Sequence, residues 1–172
     1  MYTNYAIFGV TINPGTSTLA VQNLTAGDHN YYNVVFNGGG AVGFTSSPNN
    51  SGTYNNIDVN SGTDFTLEGG PTVNGRLRLG VAGLNASVES NTTTTFNGKL
   101  ESYGTLAQRV NIFSSSAGTP VTFQKNNGNL CVEFITLSDN TKAGTGNFYA
   151  YNSTDLGNNT GWNFTNQTCL VI

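Results

Sequence analysis

Charge is what this sequence has least of. Asp, Glu, Lys and Arg make up 9% of its 172 residues, against roughly 25% in an average soluble protein. The six basic residues, Arg76, Arg78, Lys99, Arg109, Lys125 and Lys142, are scattered, and the net charge is −3. No basic track is available to follow phosphates, which argues against nucleic-acid binding. Histidine occurs once, as His29, and cysteine twice, as Cys131 and Cys169. Those soft ligands alone do not complete a zinc site. No apolar run is long enough for a membrane-spanning helix, so membrane insertion is not expected. Met1 to Val10 lacks a basic n-region and a small-residue cleavage site and does not read as a signal peptide. With Cys169-Leu170-Val171-Ile172 at its end, the chain reads as an excerpt from a longer polypeptide.

Asn, Thr, Gly and Ser stand where charges would otherwise be. Hydrophobic residues at 37% and aromatics at 11% supply a core, so the chain is expected to fold rather than remain disordered. Its main signal is a repeat. Tyr31-Tyr32-Asn33-Val34-Val35-Phe36 aligns with Tyr54-Asn55-Asn56-Ile57-Asp58-Val59 at an offset of 23. Val42 and Phe44 map onto Phe65 and Leu67 at the same offset, with Val88 expected to continue the Val42 column. Asn74-Gly75-Arg76-Leu77-Arg78 matches Asn97-Gly98-Lys99-Leu100-Glu101. Later, Val110/Ile112, Val121/Phe123 and Val132/Phe134 follow at steps of 11.

Each apolar pair is split by one residue, usually polar, which is the alternation of a strand buried on one face. Gly, Asn, Ser and Pro lie between the pairs and suit tight turns. A unit this short cannot bury its apolar face alone, but stacked copies form a continuous core. The expectation is an all-β fold, a parallel β-helix (β-solenoid) with coils of about 22–23 residues and a C-terminal capping segment. About seven coils would give a rod on the order of 35 Å. An antiparallel sandwich is the alternative, but it requires no strict repeat. Val34, Phe36, Ile57, Val59, Leu77, Leu79 and Leu100 are expected to point inward, with Asn37 and Asn60 in an internal amide ladder. One continuous domain is divided into an N-terminal coil or lead-in (1–30), repetitive coils (31–128), last coils and cap (129–165) and the start of a linker or next domain (166–172). The cap is expected to use the aromatic cluster around Phe148, Trp162 and Phe164, because an open solenoid end must be covered.

The units Tyr54-Asn55-Asn56-Ile57-Asp58-Val59-Asn60-Ser61-Gly62-Thr63 and Val73-Asn74-Gly75-Arg76-Leu77-Arg78-Leu79 carry a family resemblance, as does the closing stretch from Ser138-Asp139-Asn140 to Phe164. Together these resemble β-solenoid regions of very large secreted bacterial cell-surface adhesins, especially of Bacteroidota, including those exported by the type IX secretion pathway and used in gliding motility. The resemblance spans roughly Tyr31 to Phe164. It implies a non-catalytic structural or adhesive segment, extracellular at the bacterial cell surface. Surface glycans or other chains of a secretion assembly are the implied partners, and no catalytic residues are supplied.

Parallel β-helices also host carbohydrate-active proteins, the competing reading. Such enzymes gather carboxylates on one face. The acids here are Asp28, Asp58, Asp64, Glu68, Glu89, Glu101, Glu133, Asp139 and Asp155. Stacking places Asp58 above Val35 and beneath Arg78, a surface ion pair rather than a catalytic dyad. His29 beside Asp28 reads as a solvated turn residue. Asp139 and Asp155 lie in loops without a calcium-loop pattern, and no cofactor or metal is expected. The Asn-x-Ser/Thr sequons at Asn23, Asn49, Asn85, Asn152 and Asn163 are what an Asn- and Thr-rich chain produces by chance. Thr92-Thr93-Thr94-Thr95 is consecutive and reads as a coil connection rather than a coil-to-coil threonine array. Tyr54, Tyr103, Tyr149 and Tyr151 are candidate glycan contacts, with aromatic stacking along the solenoid as the structural alternative. Cys131 and Cys169 are an even pair that an exported protein can bridge, or two separate thiols; their spacing leaves both open.

Overall fold

The structure is a computed structural model that describes residues 18–24, 30–44 and 51–169; Asp28, His29 and Asn49 lie outside these. Every strand pairing among the described residues is parallel, and the strands stack as a β-solenoid of about six turns. Three faces recur in chain order. The first is built from the starts of Thr53–Val59 and Thr72–Leu79, then Thr93–Phe96, Val121–Gln124 and Asn140–Ala143. The second holds Tyr31–Phe36, the ends of Thr53–Val59 and Thr72–Leu79, and Lys99–Ser102, against which a separate three-stranded sheet of Asn129–Glu133, Asn147–Tyr151 and Trp162–Thr165 packs. The third contains seven strands, from Asn23–Leu24 through Asp64–Leu67, Asn85–Val88 and Val110–Ser114 to Thr154–Asp155.

Alternation dictates which side chains enter. Val34, Phe36, Ile57, Val59, Leu77, Leu79 and Leu100 are all buried. They lie in columns: Val34 faces Ile57, Ile57 faces Leu77 and Leu77 faces Leu100. Aromatic rings stack along the same axis. Phe36 meets Phe44 at 5.1 Å and Phe65 at 5.6 Å, and further on Phe96 meets Phe123 at 5.2 Å. Each such buried side chain contributes roughly 1.5–3 kcal/mol. The one salt bridge among the described residues, Arg76 to Asp58 at 2.7 Å, is half-open to water and worth at most about 1 kcal/mol. Cohesion therefore comes from the apolar columns. At the C-terminal side Trp162 packs edge-on to Phe148 at 5.0 Å. Its indole N–H donates to the Asn140 side-chain oxygen at 2.6 Å.

Coil length is not constant. On the third face Val42 faces Phe65, a step of 23, but Phe65 faces Ala86, a step of 21, so Val88 belongs beneath Leu67 instead. Ala86 then faces Ile112, a step of 26, and Thr136 faces Thr154, a step of 18. The step of 11 joins different faces: Val110 and Val121 lie on the third and first, and Val132 in the sheet packed against the second. Phe134 leaves the inward set because its backbone turns left-handed, φ 52°. Asn37 and Asn60 are exposed corner residues and form no internal ladder. The amide ladders are on the outer surface, where Asn56 donates to Asn33 at 2.8 Å, Asn97 to Asn74 at 2.8 Å and Asn111 to Asn85 at 2.8 Å. Thr93–Phe96 is a strand with Thr94 and Phe96 inside, so the threonine run is not a connection.

The corner between the first and second faces explains the repeated Asn-Gly. Thr72–Leu79 pairs with Thr95 and Phe96 at one end and with Lys99–Ser102 at the other, bending at Asn74-Gly75. A Cβ on Gly98 would overlap the Gly75 carbonyl beneath it. On the opposite side of Gly98 from Gly75, the buried Lys125 of the following coil donates its ammonium to the carbonyls of Gly98 at 2.8 Å and Asn97 at 3.0 Å. Burial lowers the pKa of that ammonium. Gly98→Ala is expected to destabilise the protein by roughly 1–3 kcal/mol or more through overpacking. A thermal melt followed by circular dichroism checks this, and an unchanged midpoint would contradict the close corner stack.

Candidate functional site

The outer surfaces of the three faces differ in chemistry. On the second, Asp58 lies between Val35 and Arg78 in the ladder. Its ion pair, however, is with Arg76, whose guanidinium donates through Nε at 2.7 Å and Nη2 at 2.9 Å. This bidentate contact raises the pKa of Arg76. Arg78 instead lies over the Tyr103 ring, 4.3 Å from its centre. Tyr149 and Tyr151, successive outward residues of one strand, stack at 5.7 Å.

Three of the four candidate glycan tyrosines thus belong to or adjoin the second face, and the fourth does not. Tyr54 is fully buried, stacked on Tyr31 at 5.8 Å and edge-on to Phe44 at 5.5 Å. Its repeat partner Tyr31 is buried as well, because the pair begins the strand on the inward side of the pleat. Tyr54 therefore cannot touch a surface sugar. Tyr103 is 51% exposed, on the loop that also holds the exposed Leu106.

The acids are dispersed. Asp64 accepts from the Thr63 hydroxyl and the Asn85 amide, which lower its pKa. Glu68 is shifted upward, first by burial and then by the nearby Glu89, whose carboxylate accepts from the Gly69 N–H at 2.6 Å. Asp139 accepts from Asn158, and Asp155 from Asn159, each at 2.6 Å. Among the described residues no group of three His, Cys, Asp or Glu side chains is placed to hold a metal ion. A cleft of about 340 Å³ opens on the third face between Phe113, Ala117 and Leu156, with Asn85, Asn111 and Thr136 on its floor. Phe113 occupies an outward position in the ladder, facing Ser87. Sequence reasoning did not find this cleft; its signal is the longer coil that separates Asn85 from Asn111, a step of 26.

Cys131 and Cys169 are joined by a disulfide, Cα–Cα 5.9 Å, across a separation of 38. The Cys169 N–H also donates to the Glu133 carboxylate. The bond ties the segment after the last strand to a strand two rungs back. Closing such a loop is worth about 2–4 kcal/mol, so reduction is expected to lower the melting temperature. An unchanged melt on adding reductant would place the tail outside the cooperative unit.

The Tyr54 hydroxyl has no hydrogen-bond partner, and burial holds its pKa well above the ordinary 10.0. Tyr54→Phe is accordingly expected to leave stability unchanged or raise it by about 1 kcal/mol. Ionisation is easier in the unfolded chain, so this hydroxyl costs additional stability as pH rises above about 10. The variant should therefore resist alkaline unfolding better, as read by denaturant midpoints at neutral pH and above 10. No family model matches the chain, and no curated protein or solved structure matches it either.

Proposed function

We propose that this chain is a non-catalytic structural and interaction segment of a secreted bacterial cell-surface protein, supplying reach and a polar display surface. The observation that carries it is where the acids go. Asp58, Asp64, Glu89, Glu133, Asp139 and Asp155 each satisfy a neighbouring backbone or side-chain donor of the solenoid itself. Carboxylates committed in this way serve the fold, whereas a glycoside-cleaving or calcium-binding site needs them convergent. Export is supported by the Cys131–Cys169 bond, because disulfides persist in oxidising compartments. It is supported also by the low-charge, amide- and hydroxyl-rich surface, and by the resemblance to adhesin solenoids.

Carbohydrate recognition is the second reading, and the cleft at Phe113 and Leu156 favours it, since amides beside apolar surface suit a sugar ring. A glycan array probed with the isolated chain, in calcium and in chelator, separates the two. The structural reading expects no selective binding in either condition. Selective binding abolished by Phe113→Ser would replace it with carbohydrate recognition, and loss in chelator would bring in Asp139 or Asp155.

A further inference from the structure

We infer that the first face of the solenoid is an ice-binding surface, a reading independent of the export and display role. The inference rests on two ranks of outward threonines that the ladder brings into line. In one rank Thr93 faces Thr122, Thr122 faces Thr141 and Thr141 faces Thr160, on four successive coils. In the second, Thr53 faces Thr72 and Thr72 faces Thr95, before Gln124 and Ala143 continue the rank. Tyr54, Val73, Thr94, Phe96, Val121 and Phe123, next to these threonines in their strands, are buried, while Lys142 beside Thr141 is half-buried and Thr160 stands on an isolated bridge. Thr93, Thr95, Thr122, Thr141 and Thr160 are all at least partly exposed.

The hydroxyls of these ranks are free. Elsewhere the protein uses its threonine hydroxyls internally: Thr63 donates to Asp64, Thr92 to the Glu89 carbonyl and Thr136 to Asn111. The Thr53 N–H donates to the Asn30 side chain at 2.9 Å, but among the described residues no hydrogen bond engages the hydroxyl of Thr53, Thr72, Thr93, Thr95, Thr122, Thr141 or Thr160. The outward positions of the first face carry no charge and no aromatic ring. Asp58, Arg76, Arg78 and Glu101 stand on the second face instead.

The spacing of the ranks names the ligand. Parallel coils repeat at roughly 4.8 Å, and outward residues along a strand at about 6.6 Å. Two rows of that kind, which meet on the coil of Thr93 and Thr95, offer hydroxyls that can replace a water and methyls that hold their neighbours in place, at spacings near the oxygen repeats of crystalline ice. A sugar chain would call for rings to stack on or amides to grip. Each threonine contributes weakly, but all of them are preorganised by the core and engage together, so the weak contacts sum without an ordering cost.

Partition of the folded chain into slowly grown polycrystalline ice tests this. The wild type should be enriched in the ice relative to an inert globular protein of similar size. Thr122→Lys and Thr141→Lys, singly and together, should fall to the inert level, while Ser87→Lys on the third face keeps the enrichment. Circular dichroism confirms folding. If the lysine variants unfold, Thr122→Val and Thr141→Val, which keep the β-branched shape and remove only the hydroxyl, should still lower the enrichment. Exclusion of the wild type from ice overturns the proposal, as does full enrichment of the first-face variants. Threonine-dependent retention on microcrystalline cellulose or chitin, without ice partition, would reassign the face to a crystalline polysaccharide.

Discussion

The spacing between coils is the constraint on which everything else rests. It is imposed by backbone hydrogen bonds that each turn of chain makes to the next, and every side chain on the rod must accept it. Apolar columns satisfy it by vertical contact, as from Val34 through Ile57 and Leu77 to Leu100. Amides satisfy it by donating to the equivalent amide one coil away, as Asn111 does to Asn85. At the tightest corner it leaves no room for a side chain, and Gly75 and Gly98 lie one over the other. The three outer faces are then free to differ, because cohesion comes from the columns inside.

Inward positions were legible in the sequence because a strand buried on one face alternates, and stacking repeats the alternation at a fixed offset. Two residues of register suffice: once Tyr31 is set against Tyr54, the positions of Val34, Phe36, Ile57 and Val59 follow. Coil length was not legible beyond the first coils. Additional residues are absorbed at corners, where they leave no periodic trace, so the stretch between Ala86 and Ile112 lengthens while the strands it joins stay in register. Val88 was accordingly misassigned by one position of the alternation, and Phe134 was counted inward although its left-handed backbone turns it out of the set.

Side-chain partners were less legible than strand partners. Asp58 lies beside Arg78 in the ladder, yet the longer reach of Arg76 across the pleat takes the ion pair and leaves Arg78 to the Tyr103 ring. Tyr54 looks like a surface tyrosine in a polar stretch, but its place in the pleat and the neighbouring Phe44 decide otherwise. The threonine run misled for the opposite reason. Its consecutive spelling hides that only alternate members face outward, and that their companions, Thr122, Thr141 and Thr160, come from later coils.

Lys125 gives the rod a property of a different kind. Its ammonium reaches inward to carbonyls of the preceding coil, at the Gly98 corner, where a cluster of oxygen atoms would otherwise call for a dissolved cation. The ion that neutralises this turn is covalently attached and travels with the chain. The corner thus draws its compensating charge from within the chain rather than from the surrounding solution.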